Sequence, residues 1–271
     1  FKDQAKEKTG DWRLFLKAAI ITVLFIGTYL CLLFVHSPPL VKFLEAVFLG
    51  ILTAAIGFCI MHDAAHRSFF SPKKNNWNYV FALTLNFLGG NALLWDKKHN
   101  QMHHAHTNLN ELDDDIEAGP FLRLHYEQQR RWIHRFQHRW WYWIGMYSLL
   151  YAFWIWGTDF KKYFSGRILK TKIRFSFSDH VIFWVSKMVH AFFFIVLPIM
   201  SVGVTSWAIG YTIVLLVCGV TISTVFQLAH IVEGVSHPSV KETNGKEFFR
   251  HQIETTADFA TNNRWVSWWV G

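Results

Sequence analysis

Cysteine is scarce in this chain. There are three among 271 residues, Cys31, Cys59 and Cys218, each alone in an apolar stretch. That excludes a disulfide scaffold and an iron–sulfur cluster, and leaves the three as small buried hydrophobes. Charge is thin as well, at 17% of residues, and the 19 acids are outnumbered by 27 Lys and Arg, for a formal net charge of +8. No nucleic-acid motif accompanies that excess, so nucleic acid is not an expected partner. The sequence also lacks an internal repeat, a low-complexity linker and a small-residue cleavage site after its first apolar run. A repeat array and a removable signal peptide are thereby set aside.

What is present is apolar surface. Hydrophobic residues make up 52% of the chain and aromatics 18%, gathered into runs near membrane-spanning length. Leu14 to Val35 supplies roughly 33 Å of helix, enough to cross a bilayer core. His36-Ser37-Pro38-Pro39 breaks it, and Leu40 to Met61 crosses back. A second hairpin is predicted from Val181 to Met200 and Val204 to Leu228, turning at Ser201-Val202-Gly203. Neither turn holds Lys or Arg, whereas the N-terminus and the segments Arg67–Arg139 and Lys161–Arg174 do. The positive-inside rule therefore puts both turns outside and both termini on the cytoplasmic side. Trp140 to Trp156 and Tyr79 to Trp95, the latter interrupted by Gly89-Gly90, read as helices lying in the membrane plane. The expected fold is an all-α, multi-pass integral membrane protein: four transmembrane helices in two hairpins, interfacial helices, and a cytosolic histidine-rich cap.

Histidines mark the cytoplasmic ends of these runs. His62 and His66 form H-D-A-A-H, and His99, His103 and His104 form H-N-Q-M-H-H. Residues four apart share a helix face about 6 Å apart, so each box can aim two imidazoles at one centre, with His104 turned toward a second metal. Neutral imidazole suits iron, zinc and copper. His230, at the inner end of the last run, joins the set by position. H-D-A-A-H shares only its spacing with the zinc-protease motif, since Asp63 stands where a Glu base belongs; Asp63 reads instead as holding a ligand's ring N–H or a nearby basic residue. Asp113-Asp114-Asp115 and Glu117 are further candidates for that acceptor part, with a solvated acidic turn as the preferred reading of the run, and His251 and Gln252, like Gln227, read as residues near the metal or the substrate. His125, His134 and His138 read as interfacial. His36, His180, His190 and His237 read as structural.

H-D-x-x-H followed by H-x-x-x-H-H, then Thr107-Asn108 and Asp113-Asp114-Asp115-Ile116, resembles the membrane fatty acid desaturase family. Phe226-Gln227-Leu228-Ala229-His230 and Gln252-Ile253-Glu254-Thr255-Thr256 are similar to its front-end, linoleoyl Δ6-type subgroup. The resemblance runs from about Trp12 to Gly271. It implies O2-dependent formation of a cis double bond in a fatty acyl chain, carried on CoA, a carrier protein or a phospholipid, by a non-haem di-iron centre. His62, His66, His99, His103, His104 and His230 match the family's ligands. Its third box, Q-x-x-H-H or H-x-x-H-H, is absent, so a single domain over residues 1–271, cut at both ends, is expected to meet that box just beyond Gly271.

No fused cytochrome b5 signature, H-P-G-G, is present, so electrons are expected from a separate ferredoxin or cytochrome b5. That donor would dock on Lys97, Lys98, Arg130, Arg131 and Arg135. A lipid hydroxylase or ketolase on the same scaffold is the nearest rival. A metal transporter is a remote one, because its ligands belong in mid-membrane rather than at helix ends.

Overall fold

The computed structural model describes residues 9–71, 74–109, 112–116, 119–124, 128–232, 234–238, 248–257 and 262–270, with the side chains of 229, 230 and 270 excepted. It is mostly helical. Four stretches among the described residues are long and apolar enough to cross a membrane: Trp12–Phe34, Pro39–Ala65, Phe177–Val202 and Val204–Leu228. Each matches an expected run to within a few residues. The chain divides into two compact units, one of residues 1–92, 176–218 and 265–271, the other of 93–175 and 219–264.

In the first unit, α1 (Trp12–Phe34) starts where the Asp11 carboxylate accepts the Arg13 and Leu14 amides at 2.9 and 3.3 Å. It stops before Pro38-Pro39, and Pro39 opens α2 (Pro39–Ile56) at a position where its missing N–H costs nothing. Ala18, Ile21 and Phe25 of α1 meet Ala46, Leu49, Leu52 and Ala55 of α2 in the core. In a bilayer the lipid tails are as apolar as these side chains, so close packing rather than water exclusion holds such helices together, and small residues permit the approach. Gly50 shows the limit. A Cβ there would lie 2.8 Å from Val217 Cβ and 3.0 Å from the Val214 carbonyl oxygen.

Tyr79–Trp95 is broken twice, into α3 (Asn75–Ala82), α4 (Thr84–Phe87) and α5 (Ala92–Asp96). The break at Gly89-Gly90 is held from the third apolar stretch, which comprises α9 (Phe177–Ala191), a π-helical turn at Phe192–Val196 and α10 (Leu197–Val202). Lys187 donates to the Gly89 carbonyl at 2.5 Å, His190 Nδ1 lies 3.0 Å from the Phe87 carbonyl, and Asn86 bonds Ser186 at 2.9 Å and the Ala92 amide at 2.6 Å. Gly89 has φ +101°, and a Cβ there would strike the His190 ring at 2.9 Å. His190 is therefore structural, as expected. The turn after α10 is tighter than expected, with helix through Val202 and only Gly203, at φ +80°, reversing the chain into α11 (Val204–His230).

The second unit contains α6 (Trp140–Ser148), α7 (Leu150–Phe153), a π-helical turn at Trp154–Thr158, and α8 (Asp159–Ser165). This Trp-rich segment is thus interrupted at Leu149, and it is not among the four long apolar stretches. A two-residue hairpin follows, β1 (Arg167–Ile168) antiparallel to β2 (Thr171–Lys172), with Arg167 opposite Lys172. Gly219 of α11 lies so close to α6 that a Cβ would fall 2.1 Å from the Ser148 carbonyl oxygen, and Ser223 bonds the Tyr147 carbonyl at 3.2 Å. Beyond α11 come α12 (Phe248–Thr255) and α13 (Arg264–Val270).

Candidate metal centre

The first histidine box grows out of α2. That helix widens into a π-helical turn at Gly57–His62 and returns to α-helix at Asp63–Ala65. The His66 amide donates to the His62 carbonyl at 3.0 Å, the four-residue step that the sequence predicts. It brings the two Nε2 atoms to 3.2 Å. Metal–imidazole bonds of about 2.0–2.1 Å, the zinc values, set adjacent nitrogens on one ion about 3 Å apart. The pair therefore has the spacing of two ligands on a single ion.

The second box departs from expectation in an informative way. α5 runs on into a π-helical turn at Lys97–His103, and the His104 amide bonds the His99 carbonyl at 3.0 Å, a five-residue step. A π-helical turn aligns i with i+5 rather than i+4. His99 and His104 accordingly place their Nε2 atoms 3.2 Å apart, while the His99 and His103 rings stack with centroids at 5.1 Å. The pairing of His99 with His103, and the turning of His104 away from it, are both corrected by that one inserted residue. Trp95 stacks on the other face of His99 at 4.3 Å.

Carboxylates hold the far side of these rings. His103 Nδ1 lies 2.8 Å from Asp113 Oδ2, and His99 Nδ1 lies 3.1 Å from Asp115 Oδ2. An Nδ1–H that donates to a carboxylate fixes the tautomer and makes Nε2 the nitrogen each ring can offer a metal. Candidate ligand atoms of His99, His103 and Asp115 all lie within 4.8 Å, a closeness these contacts account for. Asp113 also accepts the Asn108 amide at 2.8 Å and the Asp115 amide at 2.9 Å. The acidic run is thus not a solvated turn. The Asp113 side chain is 0% exposed and that of Asp115 1%.

Two buried carboxylates need countercharge, and Lys98 supplies it, 2.5 Å from Asp115 and 3.9 Å from Asp114, with Lys162 also paired to Asp114. Lys98 is therefore drawn into this network rather than presented for docking. Burial pushes the His103 pKa down, but the hydrogen bond to Asp113 and the nearby Asp115 charge outweigh it, so the net shift is upward. Burial acts on Asp115 in the opposite sense and is overcome by Lys98 and His99, which hold its carboxyl well below the usual range. Lys98 is held protonated in turn, its burial overcome by Asp115 and Asp114.

Asp63 does not hold the His62 ring N–H. Its Oδ1 is 3.8 Å from His62 Nδ1, beyond hydrogen-bond length. Its backbone carbonyl instead accepts the Ser68 amide and hydroxyl, at 3.0 and 2.8 Å, closing the turn after the box. α12 does reach the second box. Gln252 Nε2 donates to the His104 carbonyl at 3.2 Å, Gln252 Oε1 lies 3.4 Å from Thr107 Oγ1, and Asn108 Nδ2 donates to the Thr255 carbonyl at 2.9 Å. His251 is buried on this helix. Gln227 is half-buried on α11, and Phe226 packs its ring 5.9 Å from His103. The His230 side chain, Glu117 and His125 lie outside the described residues. Asn108, in the sequence only part of a motif, adopts φ +58° so that its amide meets Asp113. Asn tolerates that conformation better than most residues, and this was the available signal.

The family model described as Fatty acid desaturase matches residues 38–271. The chain belongs to the fatty acid desaturase family. Among its relatives, the sn-1 linoleoyl-lipid 6-desaturase of Arthrospira platensis is 29% identical over 266 residues, 95% of this chain and 70% of that protein. The enzyme of the same description from Synechocystis sp. is 28% identical over 276 residues, 100% of this chain and 76% of that protein. The acyl-lipid (8-3)-desaturase of Physcomitrium patens is 30% identical, over 94% of this chain and 53% of that protein. The chain thus spans between about half and three quarters of these proteins' lengths. As a desaturase it is an oxidoreductase of lipid metabolism, and its long apolar helices agree with a membrane enzyme.

Proposed function

We propose that this desaturase inserts a cis double bond into the acyl chain of a membrane glycerolipid, at a front-end position such as Δ6, using dioxygen and a non-haem di-iron centre. The observation that carries the reading is the two imidazole pairs at 3.2 Å, with His99 and His103 backed by carboxylates. The donor set fits iron, being all-nitrogen and free of thiolate, with His99 and His103 fixed in tautomer. His62, His66, His99, His103, His104 and His230 are the ligands in this reading. Bound iron supplies the dioxygen chemistry needed to take hydrogens from an unactivated methylene, which no side chain can do.

The protein's own contribution is positional. Asp113 and Asp115 hold the His103 and His99 rings in one tautomer and one orientation. Gln252 ties the backbone of His104 to α12, so that the box and this helix move together. Stacked Trp95 shields His99 from water on one face. The front-end, lipid-linked substrate rests on the names of the relatives, and acyl-CoA and acyl carrier protein are the other carriers to test. The histidine boxes and termini face the cytoplasm in this reading, by the charge rule. Arg130, Arg131 and Arg135 then offer a ferredoxin or cytochrome b5 a basic landing.

The test is expression of the full-length protein in a host without polyunsaturated lipids, fed linoleate, with fatty acids profiled by gas chromatography–mass spectrometry. A new double bond, absent with His104→Ala, is the expected result, and its position fixes the regioselectivity. A hydroxylated or keto product would replace desaturation by the related oxygenase chemistry. Unchanged lipids, with iron bound and a competent reductase present, would overturn the substrate assignment.

A further inference from the structure

The two carboxylates behind the second box are balanced in different ways. Asp113 accepts His103 Nδ1 and two backbone amides, those of Asn108 and Asp115. A peptide N–H carries only a partial charge, so Asp113 keeps most of its own and polarises the His103 N–H strongly. Asp115 faces a full cation. Its Oδ1 lies 2.5 Å from Lys98 Nζ, while its Oδ2 lies 3.1 Å from His99 Nδ1. The same Oδ2 stands 3.6 Å from His103 Nδ1, beyond hydrogen-bond length. The Lys98 ammonium is held from a second side. Asp114 Oδ2 lies 3.9 Å from it and is itself paired with Lys162 of α8. Lys162, Asp114, Lys98 and Asp115 therefore alternate in sign from α8 to His99.

Charge behind a ligand sets how strongly that ligand donates. A carboxylate that accepts an imidazole N–H makes the opposite ring nitrogen a stronger donor, which favours the higher oxidation state of a bound metal. A lysine on the same carboxylate draws its charge away and weakens that effect. The lysine's own charge, acting through space, also disfavours the higher state. Both influences of Lys98 on His99 thus run in one direction. His103 escapes them in large part, since its carboxylate rests on amides.

We propose that Lys98 is a positioning residue that acts through Asp115 to raise the reduction potential of the iron bound by His99, with Lys162 supporting it through Asp114. The two imidazoles of one box then differ in donor strength, His103 being the stronger. The inference rests on the iron-binding reading above.

The test is a redox titration of the purified, iron-loaded full-length protein in detergent, with ferric and ferrous fractions read by Mössbauer spectroscopy. At the wild-type midpoint potential, Lys98→Gln should raise the ferric-to-ferrous ratio about tenfold, the scale of one unit charge at an effective dielectric of about 20; that is about 59 mV for a one-electron step. Lys98→Arg keeps the charge and should stay within about twofold of wild type. Lys162→Gln, one ion pair farther from His99, should move the ratio the same way by about threefold, and it carries the test if Lys98→Gln fails to fold. In an Asp115→Asn background, Lys98→Gln should lose most of its effect. Lys98→Gln and Lys162→Gln proteins that hold iron at the wild-type potential would overturn the inference and leave the metal assignment intact. So would a Lys98→Arg shift as large as that of Lys98→Gln, the mark of a packing defect. A full Lys98→Gln shift in the Asp115→Asn background would overturn the route through the carboxylate. A wild type that binds no iron would overturn the metal assignment, and this inference with it.

Discussion

Replacing Asp113 by Asn removes one charge and almost no volume, and so isolates what the carboxylate does. Three donors converge on it: His103 Nδ1 and the Asn108 amide on Oδ2, at 2.8 Å each, and the Asp115 amide on Oδ1 at 2.9 Å. An Asn amide can accept on one side only. If its oxygen keeps His103 and Asn108, its NH2 faces the Asp115 N–H, donor against donor; if it flips, His103 loses its acceptor. Either way at least one charge-assisted bond is lost, worth about 1.5–3 kcal/mol, and a buried donor is left unsatisfied at about 1–3 kcal/mol more. With the Asp113 side chain fully buried, a loss of about 3–5 kcal/mol in stability is expected. Where the flip frees the His103 ring from its acceptor, the ring also loses tautomer and orientation, which typically costs about 10- to 100-fold in metal affinity. Thermal unfolding in detergent and iron retention against a chelator measure the two effects. Asp114→Asn is the control, since Asp114 pairs with Lys162 and Lys98 rather than with an imidazole. An Asp113→Asn protein within about 0.5 kcal/mol of wild type, holding iron equally well, would refute the reasoning.

Further outcomes follow from the same geometry. In metal-stripped protein, the raised His103 pKa contributes stability that is complete below about pH 6.5 and fades as pH rises through the folded value. The lowered Asp115 pKa contributes stability that is complete above about pH 4 and fades as pH falls through its folded value. Stripped protein should therefore be most stable between about pH 4 and 6.5, and a melting-temperature profile flat from pH 4 to 9 would contradict this. Gly219→Ala drives a methyl to 2.1 Å from the Ser148 carbonyl, against backbone that cannot swing aside, so a loss of about 2–4 kcal/mol is expected by denaturant titration. Asn108→Ala strains a residue at φ +58° and deletes the bond to the Thr255 carbonyl, costing about 2–3 kcal/mol; Asn108→Gly, relieved of the strain, should cost about 1 kcal/mol less.

The four spans and the two boxes were legible because each rests on a local pattern: an apolar run of sufficient length, a proline pair that must end a helix, and a spacing that shares a face. The break at Gly89-Gly90 was equally plain. What escaped was set by groups distant in sequence or by backbone irregularity. Nothing in His99–His104 announces a π-helical turn, yet that one inserted residue decides which imidazoles pair. The acidic run looked like surface because three consecutive aspartates are costly to bury; their partners, His99, His103, Lys98 and Lys162, lie up to 48 residues away. Asp63 stood next to a ligand in sequence, but its side chain stays 3.8 Å from the His62 ring. The role of Gln252 depends on a contact across 148 residues, which only the folded chain supplies.

The most direct test of the proposed centre is the iron content of the purified full-length protein, measured together with its Mössbauer spectrum, for wild type and for His104→Ala. Two high-spin irons per chain in nitrogen ligation, falling to one or none in the variant while helicity is unchanged, is the predicted result. A single ion, zinc in place of iron, or iron that the variant retains in full would contradict the assignment of these histidines.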